Sequence, residues 1–256
     1  MSVAHWAFRS HALGTETTVV LALPDEDVAQ RTLYLLHGLT DTSTAWLQHG
    51  QARALANRYR LAIVMPDGQR SFYADAVHGL AWETWISDEL PRTLGQLLRF
   101  PQHRSDTAIA GLSMGGYGAM RLALHHPDRY GAAMSLSGTL DVAGDTAFHG
   151  RHPDLYRDIF AAEDVTGTHH DLLAELSRLD RRCRDLGVAH PRLWAMCGED
   201  DRLIGQHHAF VKAAKATSIA LTHSTVPDAA HTWMLWNDQL PRALDWWLDV
   251  AKSSEI

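Results

Sequence analysis

Cysteine is nearly absent: Cys183 and Cys197 are the only two in 256 residues. Two are too few for a disulfide scaffold, and their spacing fits neither a zinc site nor a redox pair, so small buried thiols are expected. Long apolar runs are missing too, and without 18 consecutive apolar residues no transmembrane helix is expected. The opening stretch MSVAHWAFRSHALG lacks the charged start and apolar core of a secretion signal, which leaves a cytoplasmic location and no membrane partner as the expectation. Basic runs never exceed a residue pair, and 23 Lys and Arg against 30 Asp and Glu give a formal net charge of −7. With no basic patch to neutralise phosphates, no nucleic-acid partner is expected. Metal-site spacing is likewise lacking. There is no H-E-x-x-H, and the pairs His125-His126, His169-His170 and His207-His208 are adjacent residues, which do not face one another on a helix.

What is present is a strongly apolar chain, 46% hydrophobic and 21% charged, of a length suited to one domain with a sizeable core over residues 1–256. Apolar runs ended by Gly or Pro recur at 17–24, 31–38, 60–68, 106–113, 130–138, 191–198 and 219–227. From the third strand on, most are apolar at consecutive positions, as in strands buried on both faces. Helical patterns at 44–58, 82–99, 115–126, 203–216 and 231–250 lie between them. This alternation predicts an α/β fold with a mostly parallel central sheet flanked by helices. HWAFRSHAL and TTVVLALP would add antiparallel strands at one edge. Residues 141–190 interrupt the series, and their polar, partly helical sequence predicts a small helical lid over the carboxyl edge of the sheet, where α/β proteins bind ligands.

The stretch AIAGLSMGGYGAM contains G-x-S-x-G, a pattern chance supplies in roughly one 250-residue chain in ten. Its context is more specific, because the motif follows a buried strand and opens a helix, as a nucleophile elbow requires. Gly111 and Gly115 would remove side chains that collide where the chain turns sharply around Ser113. A serine hydroxyl is a weak nucleophile and needs a histidine base oriented by a carboxylate, in the chain order Ser, Asp or Glu, His. Among 17 histidines, position selects His231, in the loop after the last strand. His223 lies inside that strand and would turn away from the carboxyl edge. The acid should follow the preceding strand, where Glu199, Asp200 and Asp201 stand together and spacing does not choose among them. Oxyanion donors are expected at the backbone N–H of Met114, just after the serine, and of Leu39, after the strand ending in His37-Gly38. His37 is read as holding that loop by hydrogen bonding. His149 and His152 read as polar residues of the lid. Trp82 and Trp85, like Trp233 and Trp236, sit three apart and read first as core packing. Trp233, two residues after the base, could also wall the substrate site, with Tyr73 and Phe148 as further candidates.

With HGLTDTSTAW, MPDGQRSFYAD, WETWISDELP, GLSMGGYGAM, SLSG, CGEDDRL and AAHTWMLW in this order, the chain resembles the Putative esterase (esterase D-like) family, and within it bacterial tributyrin esterases. The resemblance implies an α/β-hydrolase fold with nucleophile Ser113, base His231 and, at the second position after the glutamate of G-E-x-D, acid Asp201. It implies oxyanion donors at Leu39 and Met114 and neither metal nor organic cofactor. It further implies a small-molecule ester substrate with a short acyl chain, acetyl to butyryl, cleaved through an acyl-enzyme. The family often forms homo-oligomers. S-formylglutathione hydrolases share HGLT and GLSMGG and supply a thioesterase alternative, although Asp41 stands where that group usually has Cys.

Overall fold

The computed structural model describes residues 2–25, 28–161 and 164–249, with the side chains of all but 146–148 and 186. Eight strands form: β1 (Ser2–Arg9), β2 (Glu16–Leu23), β3 (Arg31–Leu36), β4 (Leu61–Pro66), β5 (Thr107–Leu112), β6 (Ala132–Leu136), β7 (Arg192–Gly198) and β8 (Leu221–Val226). They pair into one sheet in the order β1-β2-β4-β3-β5-β6-β7-β8. β1 and β2 are antiparallel to each other, and β2 to β4, while every pair from β4 to β8 is parallel. This is the α/β-hydrolase arrangement. Among the described residues no helix is long and apolar enough to cross a membrane.

Two-residue periodicity divides the core between the faces of the sheet. Tyr34, Leu36, Val64 and Ile109 pack on one side with the helices Met114–His125 and Leu172–Leu186. Leu33, Leu35, Ile63 and Met65 pack on the other with Ala52–Tyr59 and Trp233–Trp247. Burial on both faces explains why β4 and β5 read as unbroken apolar runs: all of LAIVMP and TAIAGL is buried. β8 is an edge strand, and its Thr222, His223 and Ser224 are exposed.

The helix expected over 82–99 is interrupted. Trp82–Thr84 gives way to a π-helical turn, Trp85–Glu89, before Leu90–Leu98. The Leu90 N–H donates to the Trp85 carbonyl, and Pro91 follows. Proline lacks the N–H that Ser87 would otherwise receive and crowds that carbonyl, so the wider turn accommodates the ring.

Residues 141–190, expected to form one lid, do not lie over the carboxyl edge as a unit. Helices Thr146–Arg151 and Pro153–Phe160 stand near the carboxyl edge, where Arg151 and His152 border the main cavity. Helix Leu172–Leu186 instead lies against the sheet as the crossover between β6 and β7, burying Leu172, Leu176, Leu179 and Cys183. Asp171 caps its start by accepting from the Leu173 and Ala174 amides at 3.0 and 3.2 Å, and Gly187 closes it at φ 64°. The spacing of those four apolar residues carries the amphipathic pattern beneath an otherwise polar sequence.

Candidate active site

β5 ends beside β3, with Gly111 in register with Leu36, and the chain then turns through Ser113 into the helix Met114–His125. Ser113 sits at φ 53°, ψ −117°, a strained conformation for any residue with a side chain. A Cβ on Gly111 would lie 2.3 Å from the Gly115 carbonyl oxygen, and one on Gly115 would lie 2.6 Å from that of Leu36. The turn therefore closes only with glycine at both positions. It is pinned by the Ser113 N–H donating to Leu136 at 3.0 Å and by the Thr139 N–H donating to the Ser113 carbonyl at 3.1 Å.

The loops after β7 and β8 are held together by backbone. The Glu199 N–H donates to Val226 at 2.9 Å and the Asp200 N–H to Ala229 at 3.0 Å. In this frame the His231 Nδ1–H donates to Asp201 Oδ2 at 2.7 Å. The other Asp201 oxygen accepts from the Leu203 amide at 2.9 Å. Burial alone would raise the Asp201 carboxyl, but the donors on His231 and Leu203 outweigh it and hold the group below the usual carboxylate range. Of the three adjacent carboxylates only Asp201 meets the histidine. Glu199 accepts from the Thr225 hydroxyl at 2.8 Å, and the Asp200 side chain is exposed. The Trp236 ring stands edge-on to the His231 ring, with centroids 4.9 Å apart.

Ser113 and His231 border one cavity of about 490 Å3, together with Leu39, Asp41 and Trp233. A second, slot-like cavity of about 40 Å3 opens beside Ser113 between Leu39, Phe72, Met114, Thr139 and Leu203. Leu39 and Met114 both line this cavity beside the serine. The Met114 N–H lies in the first helical turn, where no intrahelical acceptor exists, and the Leu39 N–H has no protein acceptor among the described residues.

His37 holds the Leu39 loop, as expected. Its Nε2 accepts from the Gly68 N–H at 3.0 Å, which assigns the ring proton to Nδ1, donating to the Gly38 carbonyl at 2.7 Å.

Tyr73 requires a correction. It is fully buried, its hydroxyl donates to the His37 carbonyl at 2.9 Å, and its ring packs on Gly68 and Gly118, so it braces the loop from beneath rather than walling the substrate site. Its neighbour Phe72 is the aromatic residue at the slot. Successive left-handed residues, Phe72 at φ 52° and Tyr73 at φ 53°, send the two rings to different places, and alternation could not anticipate this. Trp233 does border the larger cavity, stacked edge-on against Trp46 at 4.9 Å. The Phe148 side chain lies outside the described residues. Arg151 and Arg202 also border both cavities and were not anticipated. For Arg202 the available signal was its place directly after Asp201.

Known proteins of similar sequence and structure identify the family and the fold. Residues 10–247 match the Putative esterase family. An acetyl esterase of Caldicellulosiruptor saccharolyticus is 27% identical over 270 residues, spanning 98% of this chain and 100% of that protein. The structure of FphF, a fluorophosphonate-binding serine hydrolase of Staphylococcus aureus, superposes with a TM-score of 0.85 at 25% identity, covering 96% of this chain and 98% of that one. The S-formylglutathione hydrolase FrmB of Staphylococcus aureus shares the fold, with a TM-score of 0.82 at 24% identity over 96% of this chain and 99% of that one. The chain belongs to the Putative esterase family, has the α/β-hydrolase fold, and is a serine hydrolase that acts on carboxylic ester bonds.

Proposed function

We propose that the protein hydrolyses small esters with short acyl chains, acetyl to butyryl, through an acyl-enzyme on Ser113. The observation that carries this reading is the His231–Asp201 hydrogen bond of 2.7 Å bordering the same cavity as the strained serine. With the Nδ1–H of His231 held in its hydrogen bond to Asp201, Nε2 keeps its lone pair and serves as base. Ser113 Oγ attacks the ester carbonyl as its proton passes to His231, and the Leu39 and Met114 amides stabilise the oxyanion. Collapse of the tetrahedral adduct expels the alcohol, which takes the proton from His231. Water then loses a proton to the same nitrogen and attacks the acyl carbonyl, and the bond to Oγ breaks as His231 returns that proton to Ser113, releasing the acid.

The slot of about 40 Å3 beside the two amides supports the short acyl preference, since it has room for only a few heavy atoms. The acetyl esterase relative points the same way. Buried thiols at Cys183 and Cys197 are compatible with a reducing cytoplasmic setting. The test is kcat/KM for p-nitrophenyl acetate, butyrate and octanoate, with S-formylglutathione alongside. A steep fall at octanoate and loss of turnover in Ser113→Ala are expected. A maximum at octanoate overturns the acyl assignment, near-normal turnover by Ser113→Ala overturns the nucleophile, and a preference for S-formylglutathione by orders of magnitude selects the thioesterase reading.

A further inference from the structure

Two cations border the proposed site from independent parts of the chain. Arg202 follows Asp201 in the loop after β7, and Arg151 closes the helix Thr146–Arg151 of the inserted segment. Among the described residues neither guanidinium has an ion-pair or hydrogen-bond partner. Three other arginines of this chain are engaged, Arg121 by Glu83, Arg184 by Asp180 and Arg192 by Asp249. The two carboxylates nearest the cavities are committed elsewhere. Asp41 accepts from the Gly38 amide at 3.3 Å, and Asp145 accepts from the Gln206 side chain at 2.8 Å. The border of the larger cavity thus carries two guanidiniums against the single carboxylate of Asp41, in a chain of net charge −7. The planar guanidinium matches carboxylate and phosphate oxygens in pairs.

The cavities decide which end of an ester would carry the anion. The slot of about 40 Å3 takes a short acyl group and leaves no room for a charged head on it. Both arginines border the slot and the larger cavity alike, so volume decides: only the cavity of about 490 Å3, with Trp233 as an apolar wall, has space for an alcohol moiety with a charged head. We propose that the preferred substrates are short-chain esters whose leaving alcohol bears an anionic group, a carboxylate or a phosphate, held by Arg151 and Arg202. This inference rests on the ester-hydrolase reading and names the substrate class for it.

The test separates binding from turnover. Ser113→Ala is titrated, with tryptophan fluorescence as readout, with 4-acetoxybenzoate, its methyl ester and 4-acetoxyphenyl phosphate. At low salt one or both anions should bind on the order of tenfold tighter than the neutral ester, from two partly exposed charge contacts. The preference should shrink at high salt and fall to about twofold or less when Arg151→Gln and Arg202→Gln are added, while Arg202→Lys keeps part of it. Circular dichroism and melting confirm that each variant is folded. Equal binding of anionic and neutral esters overturns the proposal, as does a preference that survives loss of both arginines. A second arm compares p-nitrophenyl hemisuccinate with p-nitrophenyl butyrate, and an anion preference found only in this arm overturns the assignment to the alcohol. If wild-type enzyme turns over none of the esters while the anion preference in binding persists, the hydrolase reading fails and the arginine site stands.

Discussion

Replacing Asp201 by Asn exchanges one carboxylate oxygen for an NH2 group in a nearly identical volume. In the native site Oδ1 accepts from the Leu203 amide at 2.9 Å and Oδ2 from His231 at 2.7 Å. The Asn oxygen can keep the Leu203 bond, so its NH2 then faces His231 Nδ1. Two donors cannot share that contact, so the ring proton moves to Nε2, the nitrogen that must be unprotonated to accept from Ser113. The expected loss is on the order of 10⁴ in kcat, equivalent to about 5.4 kcal/mol at about 1.36 kcal/mol per decade. Folding should suffer far less, because one charge-assisted hydrogen bond is replaced by a neutral one, a change of about 1–3 kcal/mol. The assay is the initial rate with p-nitrophenyl acetate, alongside a urea melt and labelling by a fluorophosphonate to count intact serines. Asp200→Asn, altering an exposed side chain, is the matched control and should stay within about threefold of wild type. A kcat for Asp201→Asn within tenfold of wild type, or equal losses in the two variants, would refute the tautomer argument and reopen the identity of the acid.

Glu83 accepts from Arg121, His125 and His126, and the Arg121 guanidinium is almost fully buried, so Glu83→Gln should cost about 3–5 kcal/mol in urea unfolding at pH 7. Burial alone would raise the Glu83 carboxyl, but the two histidine donors and Arg121 hold it well below the ordinary value. Its contribution is therefore full above the unfolded-state value of about 4.3 and is lost as pH falls below that, so the gap between wild type and variant should narrow in acid; a gap constant from pH 7 to pH 3 would contradict the linkage. Gly111→Ala drives a Cβ to 2.3 Å from the Gly115 carbonyl oxygen and should cost about 3 kcal/mol or more in stability, read from the melting temperature. Tyr73→Phe removes the donor to His37 and should lower kcat several-fold with KM nearly unchanged, at about 1 kcal/mol of stability; a rise in KM instead would return Tyr73 to the substrate wall.

The sequence is most legible where one physical requirement governs many residues. Burial on both faces makes β4 and β5 continuous apolar runs, and the seven apolar runs lie within about two residues of seven of the observed strands. Ser113 and His231 could be placed because strand ends fix where their loops emerge. Asp201 could not be separated from Asp200 and Glu199 by spacing, since the choice depends on the loops after β7 and β8 zipping together. The place of Tyr73 is not legible, because no local signal marks the two successive left-handed residues that turn its ring beneath the loop. Helix Leu172–Leu186 is legible as a helix in HDLLAELSRLDRRCRDLG, but one narrow apolar stripe in a polar sequence gives no sign that it packs against the sheet rather than over its carboxyl edge. The Glu83 network joins residues 83, 121, 125 and 126 across the fold, and adjacent histidines give no local sign of the carboxylate that gathers them.

The conformation of Ser113 has a consequence for how robust the molecule can be. Holding a side-chain-bearing residue at φ 53°, ψ −117° costs on the order of 1–3 kcal/mol, offset by the clamps at Leu136 and Thr139. That amount is a sizeable share of a total of about 5–15 kcal/mol for a folded domain. Ser113→Gly would relax it and should melt at a higher temperature while losing all turnover. The most heat-resistant version of this fold is therefore an inert one, and selection for thermal endurance alone would tend to erase the nucleophile.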